Sequence, residues 1–186
     1  MEHHASKTSA IGPCPLPAGA LLARHGVPGA YLDCYVTQLP RAVSQREFVE
    51  AFYTTAVFKI ERWLLGRFVA RPSTDAQAGQ LACGESGSFA AWTVEARDAS
   101  QLLLGDFSGR TKSWLMVEPA GDGTRLYFGS AVVPVVRRKT GKPEMGTAFH
   151  ALLGFHKLYS RVLLGAARRR LARHGTADAA RREGDA

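Results

Sequence analysis

Four polar residues, Asp106, Thr111, Ser113 and Ser130, interrupt a stretch of this chain that is otherwise rich in Leu, Val and Phe. Alternation puts them on one face. Side chains of a strand point to opposite sides with period two, and a Ser108-Gly109 turn sets Asp106 opposite Thr111 and Leu104 opposite Ser113. That face then reads Leu102, Leu104, Asp106, Thr111, Ser113, Leu115, Val117. A second turn, a four-residue loop from Ala120 to Gly123, sets Glu118 opposite Arg125, an opposed charge pair that supports the register by a few tenths of a kcal/mol. It brings Leu126, Phe128, Ser130 and Val132 to the same side. Trp92 joins from the preceding strand, and His156 and Tyr159 project from a helical stripe further on.

An apolar cavity with a few convergent polar groups is the usual form of a small-molecule site. A carboxylate near an imidazole can also act as an acid–base pair, with Asp106 orienting His156 for a cyclase- or dehydratase-like reaction. A purely structural role stays open beside both: Asp106 bonded to Thr111 across the hairpin, His156 as a satisfied core histidine, and Ser113 with Ser130 as a cross-strand polar pair. No Gly-x-Ser-x-Gly elbow accompanies the serines, so no catalytic residue is assigned.

The elements that must position these groups follow from pattern. Residues 30–39 (AYLDCYVTQL) alternate like a strand and end at Pro40. Ser44-Gln45-Arg46-Glu47 is a capping box ahead of Phe48, Phe52 and Ala56, so a helix starts at about 45, with a break at Thr54-Thr55. A second helical piece runs through Ile60, Leu64, Leu65 and Phe68 to Arg71-Pro72. Ser73 or Thr74 caps a short helix over about 75–83. Residues 89–97 form a strand; a three-residue loop at Asp98-Ala99-Ser100 places Trp92 and Val94 on the core face, whereas a two-residue loop places Thr93 and Glu95 there. Burial favours the first, because an isolated core carboxylate is costly. The face carrying Lys112, Trp114, Met116 and Tyr127 is expected to be the wetter one, with some cover over its aromatics. Gly146 to His174 has a helical period, with Phe149, Leu152, Leu153, His156, Tyr159, Leu163 and Ala167 on one stripe.

The expected fold is α+β: an antiparallel sheet of about five strands or more, N-terminal helices, and one long C-terminal helix packed across it. The expected organisation is an irregular N-terminal arm at 1–28, one domain at 29–174 and a disordered basic tail at 175–186.

The net charge of +8 is localised. Residues 137–142 carry +4, residues 168–182 carry +5 and the last four −2, which leaves about +1 for the remainder. A basic loop and tail suit an anionic surface, but no aromatic interleaving or recognised motif points to a specific nucleic acid. No apolar run reaches the ~18 residues of a membrane span. Pro13, Pro15 and Pro17 interrupt the start, so no signal peptide is read and a cytoplasmic protein is expected. Cys14, Cys34 and Cys83 match no zinc spacing and suit reduced thiols. His3, His4 and His25 form no metal cluster, and no cofactor motif is present. The partner expected is a small apolar or amphipathic molecule.

The element order resembles the helix-grip, START-like ligand-binding proteins, in which a curved antiparallel sheet wraps a long C-terminal helix around a cavity. The segments GDFSGRTKSWLMVEP, TRLYFGSAVVP and FHALLGFHKLYSRVLL are similar to an uncharacterised bacterial family known only as a domain of unknown function, over roughly residues 30–172. Members of that family also occur fused to NAD-dependent epimerase-like domains. The resemblance therefore implies an architecture and no activity. It adds one further class to the two above, an interaction module working beside an oxidoreductase.

Overall fold

A computed structural model describes residues 10–60, 73–136, 143–144 and 157–173. Seven strands form one antiparallel sheet: β1 (Gly12–Pro13), β2 (Tyr31–Leu39), β3 (Ser88–Phe89), β4 (Trp92–Arg97), β5 (Gln101–Asp106), β6 (Thr111–Ala120) and β7 (Gly123–Val132). Their spatial order is β1-β2-β7-β6-β5-β4-β3. A separate two-stranded ladder joins β8 (Val135–Val136) to β9 (Pro143–Glu144). The helices are α1 (Gln45–Tyr53), α2 (described over residues 56–60), α3 (Asp75–Cys83) and α4 (described over residues 157–173). The α+β architecture with a C-terminal helix across the sheet is as expected, with more strands than the five that alternation alone marks.

Local signals account for the helix boundaries. Ser44 Oγ accepts from Glu47 N at 3.2 Å while Ser44 N donates to Glu47 Oε2 at 2.8 Å. Thr74, not Ser73, caps α3 in the same reciprocal way through Gln77, and Gly84 ends it at φ +82°. Thr54 and Thr55 separate α1 from α2. The second helical piece is described only as far as Ile60, which is 62% exposed while Phe58 is buried; its Leu64, Leu65 and Phe68 lie outside the described residues. So do 146–156 and His174 of the expected C-terminal helix.

The central hairpin has the expected register but a different turn. Leu104 opposes Ser113, and Gly105 opposes Lys112. The chain reverses through residues 107–110, wider than a two-residue Ser108-Gly109 loop, with Gly109 N donating to Asp106 O and Gly109 at φ +71°. Parity is preserved, so every side chain keeps its face. In the next hairpin Glu118 opposes Arg125 and Ser113 opposes Ser130, as expected, but Ala120 pairs with Gly123, so the turn is the two residues Gly121-Asp122 and not a four-residue loop. Burial pushes Tyr127 up to about 12, helped by its hydrogen bond to Glu118, and that bond with Arg125 lowers Glu118.

The β4–β5 connection reaches the expected outcome by another route. Its turn is the two-residue one, with Asp98 N donating to Gln101 O. A bulge at Glu95 then shifts the register by one residue, so that Val94 opposes Leu104 and Trp92 opposes Asp106. Two residues face one at a bulge, and the extra residue is the carboxylate that the core would reject.

Glu95 instead meets Lys112, whose side chain is 6% exposed, and His25 at 3.0 Å. Gly105 leaves room for this pair, since a Cβ there would strike Glu95. Removing one partner of a buried ion pair costs ~3–5 kcal/mol. Glu95 is 32% exposed, so solvent screening reduces the figure; Glu95→Ala is expected to lose about 2 kcal/mol in urea unfolding. Adding Lys112→Met should recover part of that loss, and a double variant weaker than Glu95→Ala would refute the pairing.

The sheet has two covered faces. The inner one packs Tyr35, Leu39, Leu102, Leu104, Leu115, Val117, Leu126 and Phe128 against helices α1 to α4. Phe48, Phe52, Tyr53, Phe58, Phe89 and Phe128 form a continuous aromatic cluster within it. The other face is drier than expected: Leu103, Trp114, Tyr127 and Ala131 form a second cluster with Ala20, Leu22 and Cys34. Its cover comes from residues in the 1–28 span. There β1 pairs with β2 and a 3-10 helix, Leu21–His25, buries Leu22 completely.

Candidate functional site

Between the inner face and α4 lies a cavity of about 140 Å³. Phe52 and Phe58 close it from α1 and α2, Trp92 and Phe128 from the sheet, and Tyr159, Ser160 and Leu163 from α4. Thr111, Ser113 and Ser130 lie in its wall. Five of the seven candidates from the sequence thus meet here: Trp92, Thr111, Ser113, Ser130 and Tyr159. α4 supplies its wall because Ser160, Leu163, Leu164, Ala167 and Leu171 are buried along one side, while Leu158 and Val162 point outward and are 61% and 38% exposed.

Asp106 is not among the cavity residues. Its carboxylate holds the hairpin turn: Ser108 Oγ donates to Oδ2 at 2.7 Å, and the backbone N–H groups of Arg110 and Thr111 donate to Oδ1 at 2.8 and 3.1 Å. A carboxylate accepting two or three such bonds is committed to local structure, which is the structural role that the sequence left open for it. His156, its expected acid–base partner, lies outside the described residues.

The carboxylate at the polar row is Asp33 of β2, which the sequence reading did not single out. β2 pairs with β7 so that Asp33 opposes Ser130. Asp33 Oδ1 accepts from Ser130 Oγ at 2.6 Å and from Ser130 N at 3.1 Å, and Oδ2 accepts from Tyr31 OH at 3.1 Å. Burial, reinforced by that negative neighbour, pushes the Tyr31 phenol well above its ordinary range. On the other side Ser113 Oγ lies 3.2 Å from Tyr53 OH. Tyr31, Asp33, Ser130, Ser113 and Tyr53 therefore line up across three strands and α1. The alternation of AYLDCYVTQL already put Tyr31, Asp33 and Tyr35 on one side. What the sequence lacked was a signal that β2 lies beside β7.

Two polar groups of cavity residues are left over. Among the described residues, Trp92 Nε1 and Ser160 Oγ are buried with no hydrogen-bond partner, and Ser160 as a whole is only 1% exposed. A buried donor left unpaired costs ~1–3 kcal/mol, and such groups in native proteins ordinarily find a protein, water or ligand partner. The arrangement is suited to an aromatic or aliphatic guest that carries a hydrogen-bond acceptor. Among the described residues no group of His, Cys, Asp and Glu is placed to hold a metal ion, and no helix is long and apolar enough to cross a membrane.

No protein-family model matches the chain, and no curated protein matches it. Among solved structures, it is similar to CalU16 from Micromonospora echinospora. The solution NMR structure of CalU16 is 16% identical, with 89% of this chain and 77% of that one covered at a TM-score of 0.39. Its crystal structure is 15% identical, with 87% and 91% covered at 0.38. The crystal structure of Ara h 8.0201 is 9% identical, with 75% and 98% covered at 0.34. At such scores these likenesses carry no functional argument.

Proposed function

We propose that this chain binds a small, mostly apolar molecule bearing a hydrogen-bond acceptor, held between the sheet and α4. The observation that supports this reading is the pair of groups without a partner among the described residues, Trp92 Nε1 and Ser160 Oγ, in a cavity also walled by Phe52, Phe58, Phe128 and Tyr159. Size favours a single ring: an apolar cavity of about 150 Å³ accepts benzene. Ser113 and Ser130 are already engaged by Tyr53 and Asp33, so they shape the wall and leave the donation to Trp92 and Ser160. Membership of the uncharacterised bacterial family belongs to the same proposal and rests on the three sequence segments alone; a reducing, cytoplasmic setting belongs to it too.

The test compares acetophenone, a ring with a carbonyl acceptor, with ethylbenzene, its near-isostere without one. Each hydrogen bond adds ~1 kcal/mol, about fivefold in affinity, so two donors predict acetophenone about twenty-five-fold tighter by calorimetry. Trp92→Phe with Ser160→Ala should abolish the difference, and Leu163→Phe should fill the cavity and abolish both. Equal binding of the two probes to the unaltered chain, or none, would overturn the reading.

A further inference from the structure

We propose that Cys14 and Cys34 are a thiol-modification site, closing to a reversible cross-strand disulfide that fastens the N-terminal segment to β2 in the presence of a small-molecule disulfide. The two cysteines are twenty positions apart in sequence, and nothing in their spacing announces the pairing. In the fold their sulfurs lie 3.3 Å apart, with the Cys14 thiol donating to Cys34. Their backbones are in register as well. Gly12 opposes Val36 and Pro13 opposes Tyr35, so the next opposed pair is Cys14 and Cys34, and Cys14 N donates to Cys34 O at 3.0 Å. Directly opposed residues of an antiparallel pair have Cα atoms ~4.5–5.5 Å apart, inside the ~4.4–6.8 Å that a disulfide spans. The bond can therefore close without moving either strand.

Access comes from a cleft of about 610 Å³ that both cysteines line together with Tyr31, Asp33, Lys157 and Arg161. Two cations at its wall favour an oxidant with carboxylates, of which glutathione disulfide is the simplest probe. Cys14 is partly exposed and Cys34 only 4% exposed. Burial pushes both thiols above the ordinary cysteine range, strongly so at Cys34. Cys14 is accordingly the attacking sulfur, because exchange needs both a thiolate and access.

The step balances. The Cys14 thiolate attacks one sulfur of the disulfide RSSR, whose S–S bond breaks and releases RS⁻. Cys34 then gives its proton to solvent and attacks the Cys14 sulfur of the mixed disulfide, and the second RS⁻ leaves. Both released thiolates take up protons. Two protein thiols and one RSSR become one protein disulfide and two RSH, and no other oxidant is required.

The full chain should be incubated with glutathione disulfide and digested with trypsin without reduction. The expected product joins the Thr8–Arg24 peptide to the His25–Arg41 peptide, two hydrogens lighter than their sum. Thermal unfolding of the oxidised chain should shift upward by several degrees, since the bridge restricts the unfolded state. Cys83, exposed on α3, reports that the oxidant is active by taking up glutathione. Cys14 and Cys34 remaining free, or each carrying its own glutathione, while Cys83 has reacted would overturn the proposal. Cys14→Ser should leave Cys34 unlinked; a Cys34–Cys83 link in that variant would show that proximity does not govern the pairing and would equally refute it.

Discussion

Phe52→Ala is expected to lower the unfolding free energy by about 3–5 kcal/mol, the range for deleting a buried aromatic ring. Phe52 is 1% exposed and sits where the helices meet the sheet. Its ring centroid lies 4.8 Å from Phe128, 5.2 Å from Tyr53, and 6.2 Å from both Phe48 and Phe58. No single neighbour can refill that volume, because Phe128 is fixed in β7 and Phe48 in α1. Phe52 also walls the cavity, so truncation enlarges the space as well as weakening the core. The two effects separate experimentally. Chemical denaturation should show the loss, and a two-ring ketone such as 2-acetonaphthone should stabilise Phe52→Ala more than the unaltered chain, by mass action on the folded state. A loss below ~1 kcal/mol would mean the cluster collapses around the gap. Equal stabilisation of the two chains by the two-ring ketone would mean that the cavity does not extend to Phe52.

Much of the architecture was legible because it depends on local signals. The capping box at Ser44 marked one helix start, Ser73 or Thr74 marked the second to within a residue, and the alternation of residues 101–132 fixed which side chains share a face, though not that the face of Trp114 and Tyr127 is covered as well. A hairpin tolerates a misjudged turn: changing the β5–β6 loop from two to four residues preserves parity, so Leu104 still opposes Ser113. The Glu95 bulge follows the same logic, since burying Trp92 and Val94 outweighs keeping an uninterrupted ladder. What could not be read was long-range placement. β2 pairs with β7 across about ninety residues of chain, and only that pairing makes Asp33, not Asp106, the carboxylate of the polar row. The two acids are alike in composition terms, each a lone Asp in an apolar strand. Distant topology separates them, and single-sequence periodicity carries no information about it. The Cys14–Cys34 encounter was hidden for the same reason.

The same long-range placement gives residues 10–28 a role that their composition does not suggest. A chain beginning at Gly29 is expected to lose about 4–5 kcal/mol. Burying a leucine contributes ~1.5–3 kcal/mol, and Leu22 is fully buried against the outer face. Gly129 is required beneath it: a Cβ there would come within 2.8 Å of Leu22 and 2.9 Å of Trp114. The second contribution passes through Gln101. Its Oε1 accepts from Trp114 Nε1 and Leu21 N, both at 2.9 Å, while Nε2 donates to Gly19 O at 3.2 Å and Asp98 Oδ2 at 3.0 Å. An amide offers two acceptor sites and two donors, so all four are used, and truncation removes two. At ~1 kcal/mol per bond that adds about 2 kcal/mol. The loss of His25 from Glu95 pushes in the same direction. Trp114 fluorescence, read with Trp63 and Trp92 both replaced by Phe, makes the prediction measurable: the truncated chain should emit further to the red and unfold at lower urea, whereas Gln101→Ala in the full chain should reproduce part of the loss without exposing the indole. If the chain from Gly29 matches the full one in both respects, the first twenty-eight residues are an arm after all, and the folding unit starts at β2.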